Sequence, residues 1–370
     1  MKKIGVSVSV LALSVSGALA GGIDRSGQSI AVIYEDGDYV EFSLGVVSPS
    51  VSGIGTVFSG AASNGVSSGD MAATYFQLGA AYKREVNENI DLAIIFDQPF
   101  GANVDYPSGS YFANDAVADL ATSAITTVVN YTTASNFSVH AGLRIQSFNA
   151  EASVPFVSDY TATADTNIGY GYLIGAAFEK PEIALRVALT YNSAIDHSLA
   201  TSETSTALGG PNTSTTEITT PQSINLEFQS GVATDTLVFG SVRWVEWSAF
   251  DITPADYFTL TGGGSLVSYA NDKVAYSIGV GRRLNDTWSV AATLGYEGAS
   301  GGFSANLGPT DGNFSVGLGA TYTNDNMKIT GGIRYVAIGD AQTTLDNANA
   351  ASNFTDNNAL AIGFKIGYFM

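Results

Sequence analysis

The chain has no cysteine in its 370 residues, so no disulfide framework staples it and no thiol does chemistry. Only two histidines occur, His140 and His197. They lack an H-x-H or H-E-x-x-H spacing, and without it they build no metal site. Ser138 and His140 share a strand face two residues apart, roughly 7 Å, beyond direct hydrogen-bond reach, so no hydrolase pair forms. Basic residues are scarce. Lys and Arg number 15 against 34 Asp and Glu, for a formal charge of −19. Such a chain cannot neutralise phosphates, which excludes nucleic acid as a partner. No glycine motif for phosphate binding is present, and nothing calls for a cofactor. After residue 20 no window holds the roughly 18 consecutive apolar residues that a membrane helix needs.

What is present begins with a leader. Met1-Lys2-Lys3 is basic, Ile4–Leu19 is apolar and small, and Ala18-Leu19-Ala20 fits a cleavage site, so the mature chain is expected to start at Gly21. The chain is therefore exported. From Asp38 onward it alternates apolar and polar residues with a period of two, the signature of strands with one apolar face. Val40, Phe42, Leu44 and Val46 open the series, and Leu360, Ile362, Phe364, Ile366 and Tyr368 close it. Fourteen such stretches are counted, the ninth within Thr236–Phe250. Short turns such as Thr132–Asn136 and Leu284–Thr287 alternate with long connections such as Ala102–Thr122, Glu151–Ile168 and His197–Gln222. Aromatics end many apolar faces, as Trp288 with Tyr296 and Phe314 with Tyr322 do. Eight residues at ~3.3 Å each span the ~25 Å apolar band between two aromatic girdles. The fold class is all-β: a transmembrane antiparallel barrel of about 14 strands in a bacterial outer membrane. The domains are a leader at 1–20, a short N-terminal segment at 21–38 and the barrel at 39–370.

The same alternation sorts charges. Arg144, Arg186, Lys328, Arg334 and Lys365 point inward, with Glu41, Asp91, Asp97, Glu179 and Glu227, and Arg243 joins them. On the lipid face each would cost about 2–4 kcal/mol near mid-bilayer. Arg144, Arg186 and Arg243 are the candidates to hold the head group of a ligand, against a plainer role as paired charges filling a polar lumen. A barrel of fourteen strands is wider than one its own side chains fill, and narrower than an open porin. It needs a plug or a ligand, and residues 21–38 are the segment placed to supply the plug.

The third strand stands apart. Ile90, Leu92, Ile94 and Phe96 alternate cleanly, then Asp97-Gln98-Pro99-Phe100-Gly101 interrupts. Proline cannot donate to a ladder, and glycine weakens one. In a closed barrel such a break has no edge to sit on, so it marks an opening in the wall.

At this point the chain resembles the FadL-type outer-membrane transporters of long-chain fatty acids and other hydrophobic compounds. Four stretches carry the resemblance: Asp38–Gly53 as the first strand, Asp97–Gly101 as the break in the third, Gly169-Tyr170-Gly171-Tyr172 running on to Leu189–Ser193 as the sixth and seventh, and Arg243-Trp244-Val245-Glu246-Trp247-Ser248-Ala249-Phe250 as the ninth. The resemblance implies a plugged fourteen-stranded barrel that moves a hydrophobic molecule such as a fatty acid passively, with sideways exit at the third-strand kink. The implied surroundings are outer-membrane lipid and lipopolysaccharide, the chain acting as a monomer. The family's Asn-Pro-Ala plug motif is missing and the segment is short, which predicts a lumen leakier to small solutes. Two other readings compete: a water-filled porin for small polar solutes, and an adhesive barrel that works through its loops.

Overall fold

The computed structural model describes residues 23–370. The expected leader and the start at Gly21 lie outside them. Fourteen antiparallel strands, each paired with its neighbours in the chain, close into a barrel. They are β1 (Tyr39–Ser50), β2 (Tyr75–Asn87), β3 in two pieces (Ile90–Asp97 and Gly101–Asp105), β4 (Val117–Thr132), β5 (Phe137–Val154), β6 (Tyr160–Lys180) and β7 in two pieces (Leu185–Asn192 and Ile195–Ser205). Then come β8 in two pieces (Gly209–Thr220 and Ser223–Ala233), β9 (Thr236–Val245), β10 (Lys273–Arg283), β11 (Trp288–Glu297), β12 (Asn313–Asn324), β13 (Met327–Ile338) and β14 (Asn358–Phe369). β1 seals the barrel against β14, from Tyr39 opposite Phe369 to Ser50 opposite Asn358.

The outward faces are apolar and exposed, as lipid contact requires. Leu143 and Tyr170 are 71% and 73% exposed. Trp288 packs edge-on against Tyr322 at the short-turn rim, 5.3 Å between centroids. The inward charges pair off: Lys83 with Asp91 at 2.8 Å, and Lys365 with Glu41 at 3.0 Å.

Two expected long connections are not loops. Glu151–Ile168 and His197–Gln222 are mostly strand, turning over at residues 155–159 and 206–208. The outward residues there are Thr161, Thr163, Ser198, Ser202, Thr213 and Thr215, all exposed. An apolar dyad search passes over such strands because this part of the wall faces water. At 21 residues, β6 has on the order of 70 Å of contour at ~3.3 Å per residue, far more than a ~25 Å band needs. The ninth strand is also shorter than expected. It ends at Val245, and Trp247–Ala249 form a 3-10 turn that carries Trp247 fully inside.

β3 is not the only interrupted strand. β7 lapses at Ser193-Ala194 and β8 at Pro221-Gln222. Each interruption inverts which residues face inward. In β7 the buried set is Ala188, Thr190 and Asn192 below the lapse, and Ile195, His197 and Leu199 above it. β8 and β3 switch parity in the same way, with Thr216, Ile218 and Thr220 giving way to Ser223 and Asn225, and Ala93 and Ile95 giving way to half-buried Ala102 and buried Val104.

The long loops fold over one end. Short strands Gly53–Gly55, Phe303–Ser304, Ala341–Thr344 and Ala350–Phe354 form a second sheet. It packs on Tyr106, Tyr111 and Tyr160 in one buried cluster. The β9–β10 loop contributes the helix α1 (Ala255–Thr261).

Candidate functional site: the kinked strand and the cavity above it

The β2–β3 ladder runs from Asn87 opposite Ile90 to Ala80 opposite Phe96 and stops there. Beyond it, the second piece of β3 has its ladder with β4, while residues 75–79 of β2 have theirs with β1. The wall between β2 and β3 is therefore unladdered at this height. The chain turns inward at Gln98-Pro99-Phe100. Pro99 has no N–H to offer β2, and Phe100 gives its N–H to the Thr122 hydroxyl at 2.8 Å. The Phe100 ring is buried edge-on against Trp247, 5.8 Å between centroids.

Side chains occupy the lapse. Gln98 accepts the Leu78 N–H at 2.8 Å through Oε1. Arg25 lies over the Tyr75 ring, 3.9 Å from its centroid, and donates to Asn103 Oδ1 at 2.7 Å. Its guanidinium fills the space that a side chain at Gly101 would take, since a Cβ there would lie 2.5 Å from Arg25 Cζ. Glycine at 101 is thus a close-approach requirement. Burial lowers the Arg25 pKa, and nearby Tyr75 and Asp119 oppose that shift.

Arg25 is held by its own segment. The Arg25 N–H bonds the Pro99 carbonyl at 2.8 Å, and the Gly101 N–H bonds the Ile23 carbonyl at 2.9 Å, so residues 23–25 pair with the kink. Further along, Val32 and Ile33 of a 3-10 turn (Ala31–Tyr34) pack on Ala81, Ala93 and Ile95 inside the wall.

Above the kink lies a cavity enclosing about 1330 Å³ of empty space, part of it open to solvent. Its walls are mainly aliphatic. Alanines make the room. Ala118 stands opposite Ala152, and Ala152 opposite Ala162, across three strands, and all three line the cavity. Phe250 and Tyr269 add aromatic surface, and Ile23 and Arg25 reach it from below. Pro254, next to α1, also lines it. The helix is held by buried Glu203, which accepts from the Asp256 N–H at 2.8 Å, the Tyr160 hydroxyl at 2.9 Å and the Ser214 hydroxyl at 2.7 Å.

The structure places the five kink residues, Asp97 to Gly101, together at the lapse. It places the three arginines elsewhere in the lumen, and none of them lines the cavity. Arg243 pairs with Asp24 at 2.7 Å and donates to Asn225 at 2.7 Å and Gln28 at 3.2 Å. Arg144 donates to Thr126 at 2.9 Å and Asn192 at 3.2 Å. Arg186 covers the Tyr34 ring at 4.4 Å and lies 3.9 Å from Glu179. Two of the three thus grip residues 24–34, and the third knits β4 to β7. Asp97 accepts from the Ser26 hydroxyl. Sequence reasoning missed Arg25, Glu203 and the alanine rows. The alanines carried a legible signal: small residues recurring at every second position of Ser/Thr-rich strands.

His140 bonds Thr190 at 3.0 Å and neighbours Tyr34, not Ser138. No acidic or histidine cluster able to hold a metal occurs among the described residues.

A closed fourteen-stranded barrel with an apolar outer band, an inward-kinked strand and an aliphatic cavity defines the class of outer-membrane β-barrel proteins. Residues 29–369 match the family described as outer membrane protein transport protein (OMPP1/FadL/TodX), and the chain belongs to that family. It is a family of transport channels, not enzymes, of the bacterial outer membrane. Similar solved structures include a FadL homologue of Pseudomonas aeruginosa, 12% identical with a TM-score of 0.73 over 91% of each chain. The toluene transporter TodX of P. putida is 13% identical, with a TM-score of 0.64 over 96% of this chain and 97% of that one. The toluene transporter TbuX of Ralstonia pickettii is 13% identical, with a TM-score of 0.64 over 95% and 97%. At these identities the likeness is one of fold. No curated protein matches.

Proposed function

We propose that the protein carries small hydrophobic molecules passively across the outer membrane and releases them sideways into the bilayer between β2 and β3. The observation behind this reading is the lapse itself. It lies beside an aliphatic cavity and is filled by the side chains of Arg25 and Gln98, where elsewhere a backbone ladder closes the wall. A side chain can swing on a timescale a ladder cannot match. An apolar cargo leaving there avoids both the polar lipopolysaccharide layer and an aqueous exit. Residues 23–38 serve in this reading as the plug that blocks the direct path through the lumen. Two of the structurally similar proteins are described as toluene transporters, which fits a cargo of this kind.

Leu78 and Gln98 stand where the interrupted ladder would have paired them. Because the chain has no cysteine, the double variant L78C/Q98C creates a single possible disulfide across the lapse. Oxidation is expected to abolish uptake of a labelled apolar compound by cells, and reductant to restore it. Equal uptake in both states, with the crosslink verified by mass spectrometry, overturns the sideways exit.

A further inference from the structure

We infer that the cargo is uncharged: the route from the loops to the lapse admits neutral apolar molecules and discriminates against carboxylates. This rests on the transport reading above and narrows its substrate class.

The charges carry the argument. The seven stretches that join strands at the loop end, residues 51–74, 106–116, 155–159, 206–208, 246–272, 298–312 and 339–357, contain no lysine or arginine. They do contain Asp70, Asp115, Asp159, Asp251 and Asp346, among other acids. Lys273, where β10 leaves these loops, is buried and bonded to Asp311 at 2.6 Å. The exposed cations Arg84, Lys180 and Arg282 lie at the opposite rim, beside the short turns. An anion approaching the mouth therefore meets a field of its own sign, which lowers its local concentration and its rate of entry.

Inside, the position is the same. Arg25 is the one Lys or Arg that lines the cavity among the described residues. Its guanidinium already lies over Tyr75, donates to Asn103 and neighbours Asp119. Arg144, Arg186, Arg243 and Arg334 do not line the cavity. A carboxylate brought among the alanines would lose its hydration without gaining an uncommitted cation, and an unpaired buried charge is heavily disfavoured. A neutral molecule of equal length incurs no such penalty.

The test compares labelled 1-decanol with decanoate, which have the same chain length and are respectively neutral and anionic at pH 7. The full-length protein is expressed in a Gram-negative host lacking its own transporter of this family. Decanol uptake is expected to exceed the empty-vector rate by about tenfold or more, with decanoate staying near the vector rate. The variant A162K puts an ammonium into the cavity wall and should raise the decanoate-to-decanol ratio roughly fivefold or more. Heat-modifiable mobility on a gel confirms that this variant is a folded barrel. Decanoate entering as fast as decanol overturns charge discrimination, and so does a folded A162K with an unaltered ratio. If neither compound enters above vector, the transport reading itself falls.

Discussion

Arg243 carries out at residue scale what the lumen as a whole requires. It is nearly buried, and its guanidinium is shared between Asp24, Asn225, Ser223 and Gln28, so it ties the N-terminal segment to β8 and β9. Removing one partner of a buried pair leaves the other charge unmatched, typically at about 3–5 kcal/mol. The barrel ladders do not depend on this pair, so the cost falls on the segment. R243A is expected to leave the barrel folded while residues 23–30 lose hydrogen-exchange protection. Single channels in planar bilayers should then conduct more strongly than wild type. A silent, fully protected R243A would show that the segment is held without this pair, by its pairing with the kink and by Val32 and Ile33 against the wall.

At the scale of elements, β4, β5 and β6 build the cavity from alanines that face each other across the ladders. A152F adds a ring between Ala118 and Ala162. Because Ala152 lines the cavity, the ring extends into it rather than into packed side chains, and overpacking strain stays small. Uptake of an apolar compound is expected to fall several-fold while the thermal midpoint barely moves, checked by cell uptake and by heat-modifiable mobility. Unchanged uptake would mean that cargo bypasses this wall. These elements also show what the sequence could reveal. Strands bathed in lipid announced themselves, since Phe, Leu and Tyr at every second position have no other explanation. The upper parts of β5 to β8 did not, because a strand between water and a polar lumen face reads as Ser, Thr and Ala on both sides. The kink was legible because Pro99 and Gly101 act through the backbone. Its filling by Arg25 was not, because a contact between residue 25 and residue 101 has no local signature. Alternation turned the arginines inward, but alternation says nothing of height, and height separates gripping residues 24–34 from lining the cavity.

For the whole molecule, the dominant quantity is charge. With 34 acids against 15 bases and no base in the long loops, the mouth repels itself. Screening and divalent cations should relieve this. The thermal midpoint in detergent is expected to rise between low salt, where the Debye length is about 30 Å at 0.01 M, and roughly 0.15 M, where it is about 8 Å. Millimolar magnesium should add to the effect. A midpoint that is flat across this range would mean that the loop acids are already neutralised by local partners such as the Lys273–Asp311 pair.

The parity inversions in β3, β7 and β8 bear on assembly. An ordinary two-faced strand that slips by two residues against its neighbour keeps its apolar side toward lipid, and so gains a plausible wrong partner. In β7 and β8 the inversion point must stay level with the rim. A slip of two carries Asp196 toward the bilayer, or draws Leu189 out of it. The interruptions therefore act as notches on a key, and each leaves one seating of the strand that satisfies both of its halves.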